Sequence, residues 1–177
     1  MPFTFEDDLI VPRKIEIFEY KGPNPFRIVG MLPRLLQVIF YGKGLYMYED
    51  DFRWDITADP RPFFVRLRFQ KSIDRFSEGL VRLKIWGKQP SDPNSPNGQL
   101  MIEFEGVLRT EFKIGKGPFD VLRKLPEPLL YPFLYLYFLA FYTKVRRQYI
   151  KSWAQGMEKL QKEVRSNFTL LQRESLK

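Results

Sequence analysis

The sequence contains no cysteine and no histidine. The first absence excludes disulfides, thiolate metal sites and a cysteine nucleophile. The second removes the commonest general base and the commonest metal ligand. Catalysis would have to run on carboxylates, lysine, tyrosine, serine or threonine. An enzyme is therefore not the leading expectation, and no metal or cofactor is expected. Uncharged runs are also short. The longest, around residues 129–142, rises about 21 Å as a helix, against the roughly 30 Å of a bilayer core. The opening MPFTFEDDLIVPRK is acidic and lacks the basic start and apolar stretch of a secretory signal, so a cytoplasmic protein is expected.

What is present suits one globular domain spanning 1–177, with its core at about 13–170. Of the 177 residues, 44% are hydrophobic and 28% charged, and 17 Phe and 9 Tyr make for a bulky core. The formal charge of +8 favours an anionic partner or simply a solvated surface. A surface rich in Lys, Arg and Glu fits an intracellular, thermophilic source.

Residues 13–20, RKIEIFEY, read as a strand. In the following KGPNPF, Asn24 is placed to cap a helix and Pro25 suits its first position. The run FRIVGMLPRLLQVIFYG sets Val29, Leu32, Leu36, Ile39 and Phe40 on one helical face. Pro33 falls in its middle, where it lacks a backbone donor and crowds the preceding turn. Two short helices meeting near 31–33 are expected, the second ended by Gly42 and Gly44. The GKG triplets at 42–44 and 115–117 fall far short of a phosphate-binding loop and read as turns.

Four strand segments follow. In 45–56 the even-numbered Tyr46, Tyr48, Asp50, Phe52 and Trp54 share one side if the strand is regular. Val65, Leu67 and Phe69 alternate with Arg66, Arg68 and Gln70, and Val81, Leu83 and Ile85 with Arg82 and Lys84. Residues 90–98, with three prolines, form a loop. From Leu100 through Ile102 and Phe104 to Phe112 the even positions are mostly apolar, and Gly106 offers a bend or a close backbone approach. Such alternation means antiparallel strands with one buried face. Residues 114–128 connect to a long helix from 133 to about 171, striped by Val145, Tyr149, Trp153, Met157, Leu160, Val164, Phe168 and Leu171. The expected class is α+β: a curved antiparallel sheet gripping a long C-terminal helix, with two short helices after the first strand.

That element order resembles the helix-grip fold of the START-related and polyketide-cyclase-like superfamily. The stretches GKGLYMYEDDFRWD and KSIDRF look like small archaeal proteins of that superfamily. The resemblance implies a cavity between sheet and helix that takes lipids, hormones or polyketides. The superfamily holds binders, carriers and enzymes, so it does not fix a function. The leading expectation is non-catalytic binding or transport of a hydrophobic or amphipathic small molecule. Its cavity would be lined by Tyr46, Tyr48, Asp50, Phe52 and Trp54, by Leu67, Phe69 and Leu83, by Ile102 and Phe104, and by Tyr135, Phe138 and Tyr142.

Two rivals stand beside it. Leu129 to Tyr142 is uncharged and half aromatic, and Lys144, Arg146, Arg147 and Lys151 follow. This resembles an interfacial helix that touches anionic lipid, or a face buried in a homodimer. The other rival is a cyclase or hydrolase using Asp50, an acid that a regular strand would turn toward the core; a bulge at Glu49–Asp51 would instead turn it to water. Nucleic acid is not expected. Arg66, Arg68, Arg82 and Lys84 make the outer sheet face basic, but stacking bases needs aromatics there, and only Trp86 continues that face.

Overall fold

The computed structural model describes residues 3–40, 45–112 and 132–175 apart from 134. They form β1 (Phe3–Asp8), β2 (Ile15–Lys21), α1 (Arg27–Ile39), β3 (Leu45–Trp54), β4 (Arg61–Ser72), β5 (Ser77–Gln89), β6 (Gln99–Phe112), a π-helical turn (Phe138–Tyr142) and α2 (Thr143–Ser175). The connector 114–128, both GKG triplets and positions 129–131 and 134 of the aromatic run lie outside the described residues.

The six strands make one antiparallel sheet in the order β1-β6-β5-β4-β3, with β2 also pairing β6. β2 lies along 99–105 of β6 and β1 along 107–112, so two short strands share one edge of a long one. Gly106 marks the changeover. Its carbonyl accepts the Leu9 N–H at 2.8 Å. A Cβ there would lie 3.2 Å from Met157 Cγ and 3.3 Å from Leu9 Cβ, so the glycine serves close approach, and β6 runs through it unbroken.

α1 is one helix, not two. Pro33 sits inside it, and the buried stripe of Ile28, Leu32, Leu36 and Ile39 continues past the proline. An interior proline costs about 3 kcal/mol. Fully burying one Leu or Ile returns roughly 1.5–3 kcal/mol, so four of them outweigh the break. The helix also starts later than expected. Asn24 has φ 46°, a left-handed turn conformation, and its N–H bonds to the Pro93 carbonyl at 2.9 Å. Phe26 takes the cap position without a side-chain bond.

α2 lies across the inner face of the sheet through Trp153, Met157, Leu160, Val164 and Phe168, all buried. Small residues set its depth. The Trp153 indole rests directly on Gly79, and a Cβ at Gly156 would sit 2.6 Å from Phe40 Cε1. The Phe168 ring meets that of Tyr20 at 4.4 Å.

Candidate functional site

The expected cavity wall on β3 is divided by a β-bulge. Glu49 pairs with Leu67 and Asp51 with Arg66, so Asp50 is an extra residue opposite none. An inserted residue reverses the parity of a strand. Phe52 pairs with Val65 and Trp54 with Phe63, both inner positions, whereas Tyr48 pairs with Arg68 and Tyr46 with Gln70 on the outer face. The assignment of Tyr46 and Tyr48 to the inner side is thus corrected. Tyr46 is 60% exposed, and the Arg68 guanidinium lies 5.1 Å from the Tyr48 ring centroid. Asp50 is exposed on the bulge and pairs with Arg68 at 3.1 Å. Phe52 and Trp54 surround Phe26, whose ring lies 4.0 Å from that of Trp54.

Leu67, Phe69, Leu83, Ile102 and Phe104 stand side by side on the inner face, each at most 4% exposed, in one cluster with α1 and α2. Phe138 and Tyr142 belong to a second, smaller cluster with Phe112, against which Phe5, Phe76 and Tyr137 pack. The structure therefore divides the proposed lining among the outer face, the rings around Phe26, the main core and this second cluster, with Tyr135 in none of them and 49% exposed.

The start of the C-terminal helix is two-faced. Phe138 and Tyr142 are buried, while Phe133, Tyr135, Leu136, Leu139 and Phe141 are 49–68% exposed. The π-helical turn spaces these side chains; Thr143 Oγ1 donates to its Phe138 carbonyl at 2.8 Å. Phe133, Leu136, Ala140, Lys144, Arg147 and Lys151 recur at three and four residues, and all six are exposed. The three cations have no carboxylate partner among the described residues. Arg146 does not join them. Its side chain is 11% exposed, it pairs with Asp7 at 2.5 Å, and it lies 5.1 Å from the Phe5 ring centroid. One residue before Arg147 on a helix is a rotation of about 100°, enough to turn Arg146 toward the sheet.

Beneath this turn runs a chain of hydrogen bonds not anticipated from the sequence. Arg146 Nε donates to Thr110 Oγ1 at 3.2 Å, Thr110 and Ser77 hydroxyls are 2.8 Å apart, Ser77 and Tyr142 hydroxyls 2.6 Å, and Tyr142 donates to Asp74 Oδ2 at 2.8 Å. A guanidinium only donates and a carboxylate only accepts, so every hydroxyl in between points the same way, from Arg146 toward Asp74. Asp74 Oδ1 also receives the N–H groups of Phe76 and Ser77 at 2.8 and 2.7 Å. Burial pushes the Tyr142 phenol well above its ordinary value, and Asp74 adds to the rise. Thr110 and Ser77 occupy inner-face positions in otherwise apolar series, the one signal that could have exposed the chain.

A cleft of about 370 Å³ opens where the end of α1 and the end of β4 meet α2. Ile39, Phe40, Trp153 and Gly156 form its walls, and Lys71 and Lys159 its cationic rim. The Lys71 ammonium donates to the Phe40 carbonyl. Among the described residues no cluster of metal-ligating side chains occurs, and no helix is long and apolar enough to cross a membrane.

No family model and no curated protein matches the chain. Among solved structures it is similar to a protein of unknown function, SA2116 from Staphylococcus aureus, with 10% identity over 95% of this chain and 98% of that one. The TM-score is 0.23, which carries no argument about either fold or function. The six-stranded sheet with its long C-terminal helix is consistent with a helix-grip arrangement.

Proposed function

We propose that the protein docks on anionic lipid surfaces through the first turns of its C-terminal helix. The observation that carries this is the adjacency of exposed Phe133, Leu136 and Phe141 to exposed Lys144, Arg147 and Lys151 along one helix. Apolar groups of this kind enter the headgroup boundary, and the cations meet lipid phosphates. At about 1 kcal/mol per cation, three of them favour an anionic membrane by on the order of 100-fold at low salt. Vesicle sedimentation tests it. Phosphatidylglycerol vesicles should carry the protein down and phosphatidylcholine vesicles should not. Replacing all three cations by glutamine should abolish the difference. If neither vesicle binds and Leu136→Ser converts a dimer to a monomer in light scattering, the surface meets a second copy and not a membrane.

A second reading takes the chain as a helix-grip carrier of a small amphipathic molecule. The cleft of about 370 Å³ beside Trp153 supports it; ligand sites are commonly 300–1,000 Å³. Dodecanoate should change Trp153 emission and compete with any co-purified lipid seen by native mass spectrometry. An unchanged emission with no co-purified lipid ends this reading.

A further inference from the structure

We propose that the outer face of the sheet binds single-stranded nucleic acid. That face carries a charge arrangement that sheets ordinarily avoid. Arg66 lies directly opposite Lys84, and Arg68 directly opposite Arg82, on neighbouring strands. Like charges facing each other across strands are destabilising. Here two such pairs stand side by side, four cations in a square on β4 and β5. Glu103, Glu105 and Asp50 offset three of them, at 2.6, 2.9 and 3.1 Å. Arg66 has no carboxylate partner among the described residues; Asp51, opposite it, is held by Arg53 at 2.8 Å. An anion laid over the square would partner Arg66, the one of the four without a carboxylate among the described residues.

Aromatic rings flank the square. Phe64 and Trp86 face each other at one end, and Tyr48 stands beside the square on β3, opposite Arg68, with Tyr46 one row further on, opposite Gln70. The bulge at Asp50 is what brings the two tyrosines to this face. Cations already lie over these rings: Arg66 is 5.7 Å from the Phe64 centroid and Arg68 5.1 Å from that of Tyr48. A phosphate would draw each guanidinium off its ring and free that ring face for a base, the two kinds of contact a single strand makes. A duplex hides its base faces, so the aromatic part of the surface selects the unpaired strand. α2 covers only the inner face, which leaves this one open among the described residues. The lipid-docking stripe belongs to a different element, so the two readings stand or fall separately.

The probe is a fluorescein-labelled mixed-sequence 12-mer, as single-stranded RNA, as single-stranded DNA and as the DNA duplex, followed by anisotropy between 50 and 200 mM salt (about the range over which phosphate contacts are lost). Single strands should bind more tightly than the duplex. Tyr48→Ala should weaken binding about tenfold without changing the salt dependence, and Tyr48→Phe should retain it. Arg66→Gln should reduce the salt slope by about 0.7, one phosphate contact on a single strand. Replacing Lys144, Arg147 and Lys151 by glutamine should leave oligonucleotide binding unchanged. The proposal is overturned if no strand binds at 50 mM salt, or if duplex and single strand bind alike with Tyr48→Ala at wild-type affinity. It is equally overturned if only the helix variant loses binding, or if Arg66→Gln and Tyr48→Ala impair vesicle binding instead.

Discussion

Tyr142 donates its hydroxyl proton to Asp74 at 2.8 Å. Sixty-eight residues separate the two in sequence, and the bond ties the aromatic turn before α2 to the β4–β5 hairpin. Asp74 is also the acceptor that shapes that hairpin, through the N–H groups of Phe76 and Ser77. Tyr142→Phe keeps the ring and removes only the hydroxyl. Ser77 then loses its acceptor and Asp74 one donor inside the second core cluster. A loss of about 1–2 kcal/mol in urea unfolding is expected, in the range for a buried partner left unsatisfied. An unchanged midpoint would mean that the hairpin and the turn are held together by ring packing alone.

The same hydroxyl sets a response to alkali. An unfolded tyrosine ionises near 10.0, whereas burial holds the proton on Tyr142 to higher pH. Between those two values the folded chain binds more protons than the unfolded one, so stability falls as pH rises. Tyr20 and Tyr149 shift the same way, each chiefly by desolvation. This contribution is intact below about pH 10 and fades above it. Urea midpoints should decline from there, and Tyr142→Phe should make the decline shallower. Equal slopes in the two proteins would remove Tyr142 as a source.

Neighbouring arginines should behave as opposites. Arg146 is nearly enclosed by Phe5, Phe138 and Asp7, whereas Arg147 is exposed. Breaking a buried pair from one side costs about 3–5 kcal/mol. Asp7 keeps 35% of its side chain exposed, so water recovers part of that, and Arg146→Ala should cost about 2 kcal/mol. Arg147→Ala should change stability by less than about 0.5 kcal/mol, as surface substitutions do. A double-mutant cycle with Asp7→Ala isolates the pair; coupling near zero would assign the cost to lost ring stacking.

Strands β4, β5 and β6 were legible because each keeps strict alternation: Val65, Leu67 and Phe69, then Val81, Leu83 and Ile85, then Leu100, Ile102 and Phe104 are all inner and buried. The long helix was legible from the spacing of Trp153, Met157, Leu160 and Val164. Three features were not. β1 offers only six residues, half of them acidic, and exists because β6 is long enough to pair two partners. α1 continues through Pro33 because the sheet beneath rewards its whole stripe, a tertiary effect that local propensity does not contain. The β3 bulge is the least legible of the three. The sequence EDD gives three acids in a row, and only pairing with β4 decides which of them is extra. On that one residue depends the placing of Tyr46 and Tyr48, whereas Phe64 reaches the outer face by plain alternation with Phe63 and Val65.

Deleting Asp50 tests that pairing directly. In a regular strand, removing one residue would flip every side chain on one side of the cut. In this strand it should not, because Glu49 and Asp51 already face consecutive residues of β4, Leu67 and Arg66. The deletion would close the bulge and leave Tyr46 and Tyr48 outside. Only an exposed ion pair with Arg68 is lost, so stability should fall by less than about 1 kcal/mol. Nitration with tetranitromethane, read by mass spectrometry, should still label both tyrosines. Protection of Tyr46 and Tyr48 after the deletion, or collapse of the fold, would show that β3 is regular and that Asp50 is not the inserted residue.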